Sequence, residues 1–417
     1  MAKEYLSHLF SKIVMEYMGK LISLCIGLIF PIIAMAQQTL SIDAKITDAE
    51  TKQPLPYASI YITDSHGTIS NQEGEFAIKA LPTDKLRISY VGYETQTVKA
   101  SEVSDVILLK PQAIRLDEVV VKPINLHAFL MQALSKYKKD SKANKKTVNS
   151  FFYRQITQTN SVCNEIVESF FNATPHLSVW DLELITGRYA VLLEDSIHKY
   201  AHFKNFFYLS QLRPLMLSGR VRDKEDWLIQ PLFENYAKYY TVSYDALYDS
   251  DNASTTYKIN FKPRKGISNP IIAGSMFIDS STLELKRFEG EIVNNILTFT
   301  DETGEKLRDR NSKPHFIINY KIIGGVSMVE SVIVDMQYTI KYGNVDIHSV
   351  MYNTGIEIKN KTKKMAKRND LLQKIANQNY DPAFWKDKAI IKRTPLEKSA
   401  IEMFEKQNLF GTYSLDK

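Results

Sequence analysis

Histidines are the side chains of this sequence best suited to bind a metal ion or to transfer protons near neutral pH. A zinc hydrolase would need a His-x-x-Glu pair and a distant third ligand, because catalytic zinc takes three protein ligands and keeps one position for water. None of the eight histidines is followed three positions later by glutamate, and His-Glu-x-x-His is absent. These histidines are His8, His66, His127, His176, His198, His202, His315 and His348. The sequence therefore offers no zinc-peptidase site.

The motifs of other enzyme classes are also missing. Gly-x-Ser-x-Gly, the P-loop, the Rossmann glycines and Cys-x-x-Cys do not occur. Ser135-Lys-Tyr-Lys138 has the Ser-x-x-Lys spacing of penicillin-recognising enzymes, but the companion motifs are absent. Cys163 has no histidine or acidic partner at motif spacing, so we interpret it as a small buried residue. We predict no catalytic, cofactor-binding or metal-binding residue, and no cofactor.

Two clusters of basic residues have alternative interpretations. Residues 136–146 contain six lysines and one aspartate, and residues 359–368 contain six basic residues. Each cluster could bind a phosphorylated lipid head group, or it could be a solvated helix end or loop. The formal net charge of +6 is mild for 417 residues, so nucleic-acid binding is not predicted.

Aromatic residues are dense between positions 200 and 248, and their spacing is partly helical around 203–216 and 229–240. Such a stripe usually forms part of a hydrophobic core. The alternative is that it lines a cleft for an apolar ligand. The sequence alone leaves both interpretations open.

The first residues predict export. Met18-Gly-Lys20 supplies a positive charge, residues 21–33 form an apolar run, and Ala34-Met-Ala36 has small residues where a signal peptidase reads them. The run of 13 residues is shorter than the about 20 needed to span a bilayer. We predict a signal peptide over residues 1–36, with Met18 as the real start and no transmembrane helix in the mature chain. The predicted location is the periplasm or the periplasmic face of the outer membrane.

Residues 38–122 show the two-residue hydrophobic period of strands with one buried face. Leu40, Ile42 and Ala44, for example, alternate with polar residues. Polar breaks that end in Gly67 and Gly74 separate the runs, because glycine takes a positive φ without steric cost. Short strands with turn signals about every 8–12 residues are typical of a β-sandwich.

Four motifs in this region resemble the carboxypeptidase-regulatory-like domain, a transthyretin-like sandwich common on exported proteins of Bacteroidetes. They are Pro54-Leu-Pro-Tyr-Ala58 with Gly67, Asn71-Gln-Glu-Gly-Glu-Phe76, Leu86-Arg-Ile-Ser-Tyr-Val-Gly-Tyr93 and Leu116-Asp-Glu-Val-Val-Val121. The sequence departs from the family at Ala44, where glycine is usual. In metallocarboxypeptidases this domain accompanies the zinc hydrolase domain and performs no chemistry. The resemblance therefore implies a non-catalytic module.

The region after Pro123 combines helical and strand patterns. Residues 126–137 repeat apolar side chains at helical spacing, which predicts an amphipathic helix of about 15 residues. Residues 151–158 and 165–172 have the pattern of two strands. From Thr255 the two-residue period returns for six or seven strands, with Gly324-Gly325 as a hairpin signal. We predict an α+β domain over residues 123–379, built on a curved antiparallel sheet.

Part of this sheet resembles the half-barrel proteins that carry lipoproteins or lipids across the periplasm. The residues that carry the likeness are Tyr257-Lys-Ile-Asn-Phe-Lys-Pro263, Gly274-Ser-Met-Phe-Ile-Asp279 and Leu285-Lys-Arg-Phe-Glu289. The likeness implies a curved sheet with an apolar concave face. The predicted fold class is therefore mainly β with α: an N-terminal β-sandwich followed by an α+β domain on a curved sheet.

Residues 380–417 are predicted to form a helical tail. Thr394-Pro-Leu-Glu397 has a capping threonine, a proline at the first helical position and a glutamate that closes the capping box. Leu396, Ile401, Met403, Phe404 and Leu409 are expected to face inward. Residues 380–385 are expected to anchor the tail on the sheet.

Two functional hypotheses follow from these patterns. The first is a non-enzymatic exported protein of the cell envelope, with the sandwich as an interaction module and the curved sheet as a site for a lipid or an envelope protein. The alternative is an envelope hydrolase that acts on glycan or peptide through unrecognised carboxylates. It would show a polar cleft with two carboxylates about 5–10 Å apart. A purely structural envelope protein is a third interpretation.

Overall fold

A computed structural model describes eleven stretches of the chain and two single residues. These are residue 15 and residues 39–112, 124–144, 147–192, 228–249, 254–294, 297–300, 306–309, 312–340, 343–357, 371–386, 388 and 390–411. Apart from residue 15, the predicted signal peptide lies outside the described residues. So do the last strand motif of the sandwich, the aromatic residues between positions 200 and 227 and the basic cluster at 359–368. Among the described helices, none is long and apolar enough to cross a membrane.

The N-terminal strands form a sandwich of two small sheets, as the alternating pattern predicts. The strands are β1 (Leu40–Asp48), β2 (Ser59–Thr63), β3 (His66–Ile69), β4 (Glu75–Ala80), β5 (Lys85–Ser89), β6 (Gln96–Lys99) and β7 (Val106–Leu109). One sheet has the order β4-β1-β7 and the other β3-β2-β5-β6. Ile46 and Phe76 of the first sheet share one buried core with Ile60 and Ile88 of the second. Burial of these alternate side chains stabilises the sandwich.

The second part of the chain is built on a curved sheet of ten antiparallel strands. They are β8 (Val148–Thr159), β9 (Val162–His176), β10 (Ser178–Val191), β11 (Tyr240–Asp249), β12 (Ser254–Pro263), β13 (Ile271–Asp279), β14 (Leu285–Val293), β17 (His315–Ile323), β18 (Val326–Ile340) and β19 (Gly343–Glu357). Their order is β10-β9-β8-β19-β18-β17-β14-β13-β12-β11. Strands β15 (Leu297–Thr300) and β16 (Lys306–Asp309) form a separate hairpin.

The predicted hairpin between β17 and β18 is present. Gly324 and Gly325 both have positive φ, 57° and 76°, which suits the two central residues of a type I′ turn. Strand β8 pairs with β19, so the two early strands and the later meander form one sheet. The sequence pattern does not reveal this pairing, because the two strands lie about 200 residues apart in the chain.

One face of the sheet, here called the inner face, is covered by helices. Helix α1 (Leu126–Ala143) contributes Leu130 and Leu134, which are buried together with Tyr153 and Phe171 of the sheet. Helix α2 (Leu371–Ala376) and residues 228–240 belong to the same buried cluster. The predicted helix at 126–137 is therefore confirmed and extends further. Asn125 caps it by accepting a hydrogen bond from the Ala128 N–H at 3.0 Å.

The opposite face, here called the outer face, is covered by the sandwich and by the C-terminal tail. The tail contains α3 (Pro382–Lys386) and α4 (Pro395–Lys406). Trp385 of α3 is 1% exposed and packs with Phe152 and Phe170 of the sheet. The predicted capping box of α4 is present, because Thr394 accepts the Glu397 N–H and the Glu397 carboxylate accepts the Thr394 N–H.

Two local predictions are wrong. Leu396 was expected to face inward but is 44% exposed, because the buried stripe of α4 has a different register. That stripe is Glu397, Ala400, Ile401 and Phe404, with the i, i+3, i+4, i+7 spacing of one helix face. Residues 229–240 are not helical. They contain one short 3₁₀ turn at Tyr236–Lys238, and β11 begins at Tyr240.

Candidate functional site

The sandwich is joined to the outer face through an apolar contact. Tyr57 and Ile69 of the sandwich share a buried cluster with Ile333, Val350 and Tyr352 of the large sheet. Tyr57 and Ser59 alternate with the sandwich-core residues Ala58 and Ile60, so they face away from that core. Both residues are nevertheless buried, at 7% and 8% exposure, because the large sheet covers them. The first residues of β2 are thus buried on both faces.

Beside this apolar contact lies a polar cleft of about 420 Å³ between the sandwich and the sheet. We call it the junction cleft. Its walls carry phenols, hydroxyls, amides and charged groups, with Val91 and Ile322 as its aliphatic lining residues. The sandwich wall includes Ser59, Tyr61, Arg87, Ser89, Tyr90 and Tyr93, and the sheet wall includes Thr256, Asp279, Glu284, Lys286, Asn319, Lys321 and Glu330.

Glu330 is a deeply buried carboxyl of the junction cleft, with 6% exposure. The register of β17 against β18 shifts between Asn319 and Tyr320, so Glu330 is the extra residue of a β-bulge. The Ser59 hydroxyl donates a hydrogen bond to Glu330 Oε2 at 2.6 Å. Burial raises the pKa of Glu330, and the Ser59 hydrogen bond and the Lys321 charge offset only part of that effect.

Asp279 lines the same cleft but is engaged in a turn. Its Oδ1 atom accepts hydrogen bonds from the N–H groups of Ser281 and Thr282 and from the Ser281 hydroxyl. Its Oδ2 atom lies 3.0 Å from Lys286 Nζ. Burial disfavours the charge of Asp279, but these hydrogen bonds and Lys286 outweigh that effect and hold its pKa far below its ordinary value. Asp279 is therefore ionised at neutral pH, and both of its carboxylate oxygens already have partners within the protein.

Cations from the sheet reach across to tyrosines of the sandwich. The Lys321 ammonium lies 5.3 Å from the centre of the Tyr61 ring and donates a hydrogen bond to the Asp64 carbonyl. The Arg287 guanidinium lies 5.0 Å from the centre of the Tyr90 ring. Both distances are within the range of cation–π attraction. These contacts hold the two walls of the cleft together.

A second polar cluster lies on the outer face beneath the tail. Arg154 of β8, Glu168 of β9 and Arg188 of β10 are direct neighbours across three strands. Arg154 Nε donates to Glu168 Oε1 at 2.7 Å, and Arg188 Nη2 donates to Glu168 Oε2 at 2.5 Å. All three side chains are at most 2% exposed. Burial alone would raise the pKa of Glu168, but the arginines outweigh it and lower this pKa to about 2.

The tail completes this cluster. Glu397 at the start of α4 lies 3.3 Å from Arg154 Nη1, and Glu405 near its end lies 3.2 Å from Arg188 Nη1. The Arg188 guanidinium also lies 4.8 Å from the Trp385 ring centre. Because each charge has an opposite partner, the cluster is a structural ion network that fixes the tail. Sequence reasoning missed it. A sequence signal that could have revealed the network is the presence of charged residues between aromatic and aliphatic residues in β8 and β9. Such a mixture is unusual for a strand that has one solvated face.

The first basic cluster and Cys163, both singled out in the sequence, are partly paired and buried, respectively, in the structure. Lys136 bonds Asp140 and the Gly325 carbonyl, and Lys138 pairs with Glu234, so two lysines of the first basic cluster already have partners. Cys163 is buried, and burial raises the pKa of its thiol to about 12, so it is not a thiolate nucleophile at neutral pH. No group of three or more His, Cys, Asp or Glu side chains in the described part of the chain could hold a metal ion.

Comparison with known proteins gives one domain assignment and several distant structural likenesses. No curated protein matches the chain. The solved structures with some similarity include a LolA superfamily protein from Nitrosomonas europaea, with 11% identity over 56% of this chain and 94% of that chain and a TM-score of 0.22. A DUF1329 family protein from Desulfovibrio piger has 9% identity over 55% of this chain and 93% of that chain, with a TM-score of 0.19.

The MucA/MucB complex of Pseudomonas aeruginosa gives 9% identity over 55% of this chain and 99% of that chain, with a TM-score of 0.17. At TM-scores this low, the likeness supports no conclusion about the chain. A family model described as the CarboxypepD_reg-like domain matches residues 42–121. This match confirms the resemblance stated for the N-terminal motifs, so the sandwich is similar to a carboxypeptidase-regulatory-like domain.

Proposed function

We propose that the chain is a non-enzymatic exported protein of the cell envelope that binds a small polar ligand in the junction cleft. The mature protein would begin at Gln37 and reside in the periplasm or on the periplasmic face of the outer membrane. Its units would be the sandwich at residues 38–122, the α+β domain at 123–379 and the tail at 380–417. The match to a regulatory-like domain supports a non-catalytic role.

The observation that carries this proposal is the position and composition of the junction cleft. It has about 420 Å³ and lies where two units of the fold meet, which is a common place for small-molecule sites. Glu330 is a buried carboxyl in its wall, and the hydrogen bond from Ser59 engages only Oε2. A buried polar group with spare bonding capacity is costly without a ligand or water.

The lipid version of the hypothesis has less support. It requires an open apolar surface on the sheet, and the larger apolar cluster of the described residues lies on the inner face. Within the described residues, Leu130, Leu134, Leu232 and Phe233 cover that face and are at most 5% exposed. A lipid would have to displace these side chains from a packed core. The polar junction cleft needs no such displacement.

The hydrolase alternative is favoured by one observation. Glu330 and Asp279 line the same cleft, and their pKa values are displaced in opposite directions, as in many acid–base pairs. However, both oxygens of Asp279 are held by the turn and by Lys286. A carboxylate engaged in this way is poorly placed to act as nucleophile or base. We therefore prefer binding over catalysis.

Hydrogen exchange of the mature chain tests the proposal. A low-molecular-weight fraction of the envelope should protect amides of β2, β14 and β18 in the wild type. The Ser254→Trp variant, which fills the cleft, should lose this protection. Ser41→Trp is the matched control, because Ser41 is exposed on β1 and does not line the cleft. Protection confined to the inner face would contradict the proposal, and conversion of a component that Glu330→Gln abolishes would establish the hydrolase.

Export is tested separately by N-terminal sequencing of the protein from a periplasmic extract. The proposal predicts a first residue of Gln37. A chain that retains residues 21–33 would contradict the predicted cleavage.

A further inference from the structure

The ligand class can be read from the chemistry of the junction cleft walls, provided that the cleft is the binding site proposed above. We infer that the junction cleft takes a short, uncharged saccharide of one or two sugar units. Three features of the cleft support this ligand class: the balance of charges in its walls, their hydrogen-bonding groups and the size of the space.

The lining carries three cations and four carboxyl groups of nearly balancing charge, and two of the cations already pair with carboxylates within the protein. Lys286 Nζ lies 3.0 Å from Asp279 Oδ2, and Lys321 Nζ lies 3.6 Å from Asp64 Oδ1. An anion such as a phosphate would have to compete with these carboxylates for the lysines. A cation would have to compete with the lysines for the carboxylates. The walls therefore favour a ligand without net charge.

The remaining groups suit a ligand that both donates and accepts hydrogen bonds. Ser89, Thr256 and Asn319 supply hydroxyl and amide groups. Thr256 Oγ1 already accepts from Lys286 and Asn319 Nδ2 already donates to the Ser331 hydroxyl, so the Thr256 hydroxyl is left as a donor and the Asn319 carbonyl oxygen as an acceptor. Glu330 is a further acceptor. Among the described residues its hydrogen-bond partner is Ser59 at Oε2, so Oε1 is available to a ligand hydroxyl. A sugar presents many hydroxyls that can act in both directions.

Partly exposed tyrosines complete the match. Tyr61, Tyr90 and Tyr93 line the sandwich wall, and Tyr90 and Tyr93 meet edge to face with ring centres 5.3 Å apart. Tyrosine offers an apolar ring beside a polar tip, which suits a sugar because a pyranose has C–H faces and hydroxyl edges. A purely aliphatic chain fits less well, since it would leave these hydroxyls and amides without partners.

The size of the cleft limits the length of the ligand. Its volume of about 420 Å³ lies near the lower end of the roughly 300–1,000 Å³ typical of small-molecule clefts. The space is suited to one or two sugar units and not to a long glycan lying across the surface.

Isothermal titration calorimetry of the mature full chain tests this inference. The probes are maltose, cellobiose, lactose and N,N′-diacetylchitobiose, with inorganic phosphate and dodecanoate as probes of other chemistry. At least one disaccharide should bind the wild type, and Ser254→Trp should weaken that binding at least tenfold. Ser41→Trp should leave it unchanged.

The outcomes separate the ligand class from the site. If phosphate or dodecanoate binds, the disaccharides do not, and Ser254→Trp abolishes the binding, the saccharide inference is wrong while the cleft remains the site. If a disaccharide binds equally well to Ser254→Trp, the junction cleft is not the site and both proposals fail. If none of the four disaccharides binds, the saccharide inference is overturned.

Discussion

Glu168 and Glu330 are two buried glutamates on the same side of one sheet, and their surroundings differ. Glu168 lies beneath the tail with Arg154 and Arg188 bonded to its two oxygens. Glu330 lies beneath the sandwich, where the Ser59 hydroxyl bonds one oxygen and the cleft adjoins the other. The pKa of Glu168 is lowered, and that of Glu330 is raised.

The difference shows how one surface can serve both structure and binding. A buried carboxylate with a complete set of cationic partners fixes the geometry around it, since removal of any partner leaves an uncompensated charge. A buried carboxyl with one neutral partner has bonding capacity left for a ligand. We therefore assign the region under the tail to stability and the region under the sandwich to recognition.

The largest expected effect is that of Glu168→Ala. It leaves Arg154 and Arg188 buried without their shared partner, which should lower the free energy of unfolding by about 3–5 kcal/mol. Urea unfolding measures the change. Glu402→Ala is the control on exposed α4 surface and should stay within about 0.5 kcal/mol. A loss for Glu168→Ala as small as that of the control would show that the network is not structural.

Titration of Glu168 should contribute to the pH dependence of the free energy of unfolding. Its pKa is about 2 in the folded protein against an ordinary value of 4.5, so the unfolded chain binds the proton more readily. The stabilisation is therefore complete above pH 4.5 and is lost as the pH falls toward 2. In Glu168→Gln this part of the acid dependence should disappear. A wild-type and a variant curve of equal slope between these pH values would contradict the assignment.

A smaller effect is expected when the tail is loosened at its cap. Thr394→Ala removes the side-chain acceptor for the Glu397 N–H and should cost about 0.5–2 kcal/mol of unfolding free energy. The same change should weaken the contact of Glu397 with Arg154. Ser399→Ala, at an exposed position of the same helix, is the matched control. Chemical denaturation measures the free energy of unfolding of both variants. Equal values for Thr394→Ala and Ser399→Ala would show that the cap does not hold the tail.

The smallest effect on stability is expected at Glu330. Its raised pKa means that the folded protein binds the proton more readily than the unfolded chain, so this group makes stability fall as the pH rises above 4.5. Glu330→Gln removes that dependence and keeps a partner for Ser59, so stability at neutral pH should be unchanged or slightly higher. Thermal unfolding of the wild type and of Glu330→Gln between pH 5 and about 8 measures this difference in pH dependence. A large loss at neutral pH would show that Glu330 is structural, like Glu168.

Sequence patterns predicted the individual elements better than their assembly. Alternation gave the strands of the sandwich and the meander, Gly324-Gly325 gave a hairpin, and Thr394 with Glu397 gave a helix start. These signals are local. The packing of the sandwich on the sheet was not predicted, because an alternating strand looks the same whether its polar face meets water or another domain.

The ion network and the junction cleft also could not be predicted from local sequence patterns. Arg154, Glu168 and Arg188 meet only through the register of β8, β9 and β10, and a register error of one residue would place them on opposite faces. Glu330 faces Ser59 from 271 positions away. Nothing in the sequence near either residue indicates its partner.

Calorimetric titration of two single variants with the disaccharide that binds the wild type tests the division of the outer face most directly. Glu330→Leu should raise the Kd about tenfold, because it removes a buried acceptor for a ligand hydroxyl. Glu168→Gln, measured at a temperature where it remains folded, should leave the Kd unchanged. An unchanged Kd for Glu330→Leu together with a raised Kd for Glu168→Gln would contradict the assignment of recognition to the junction cleft.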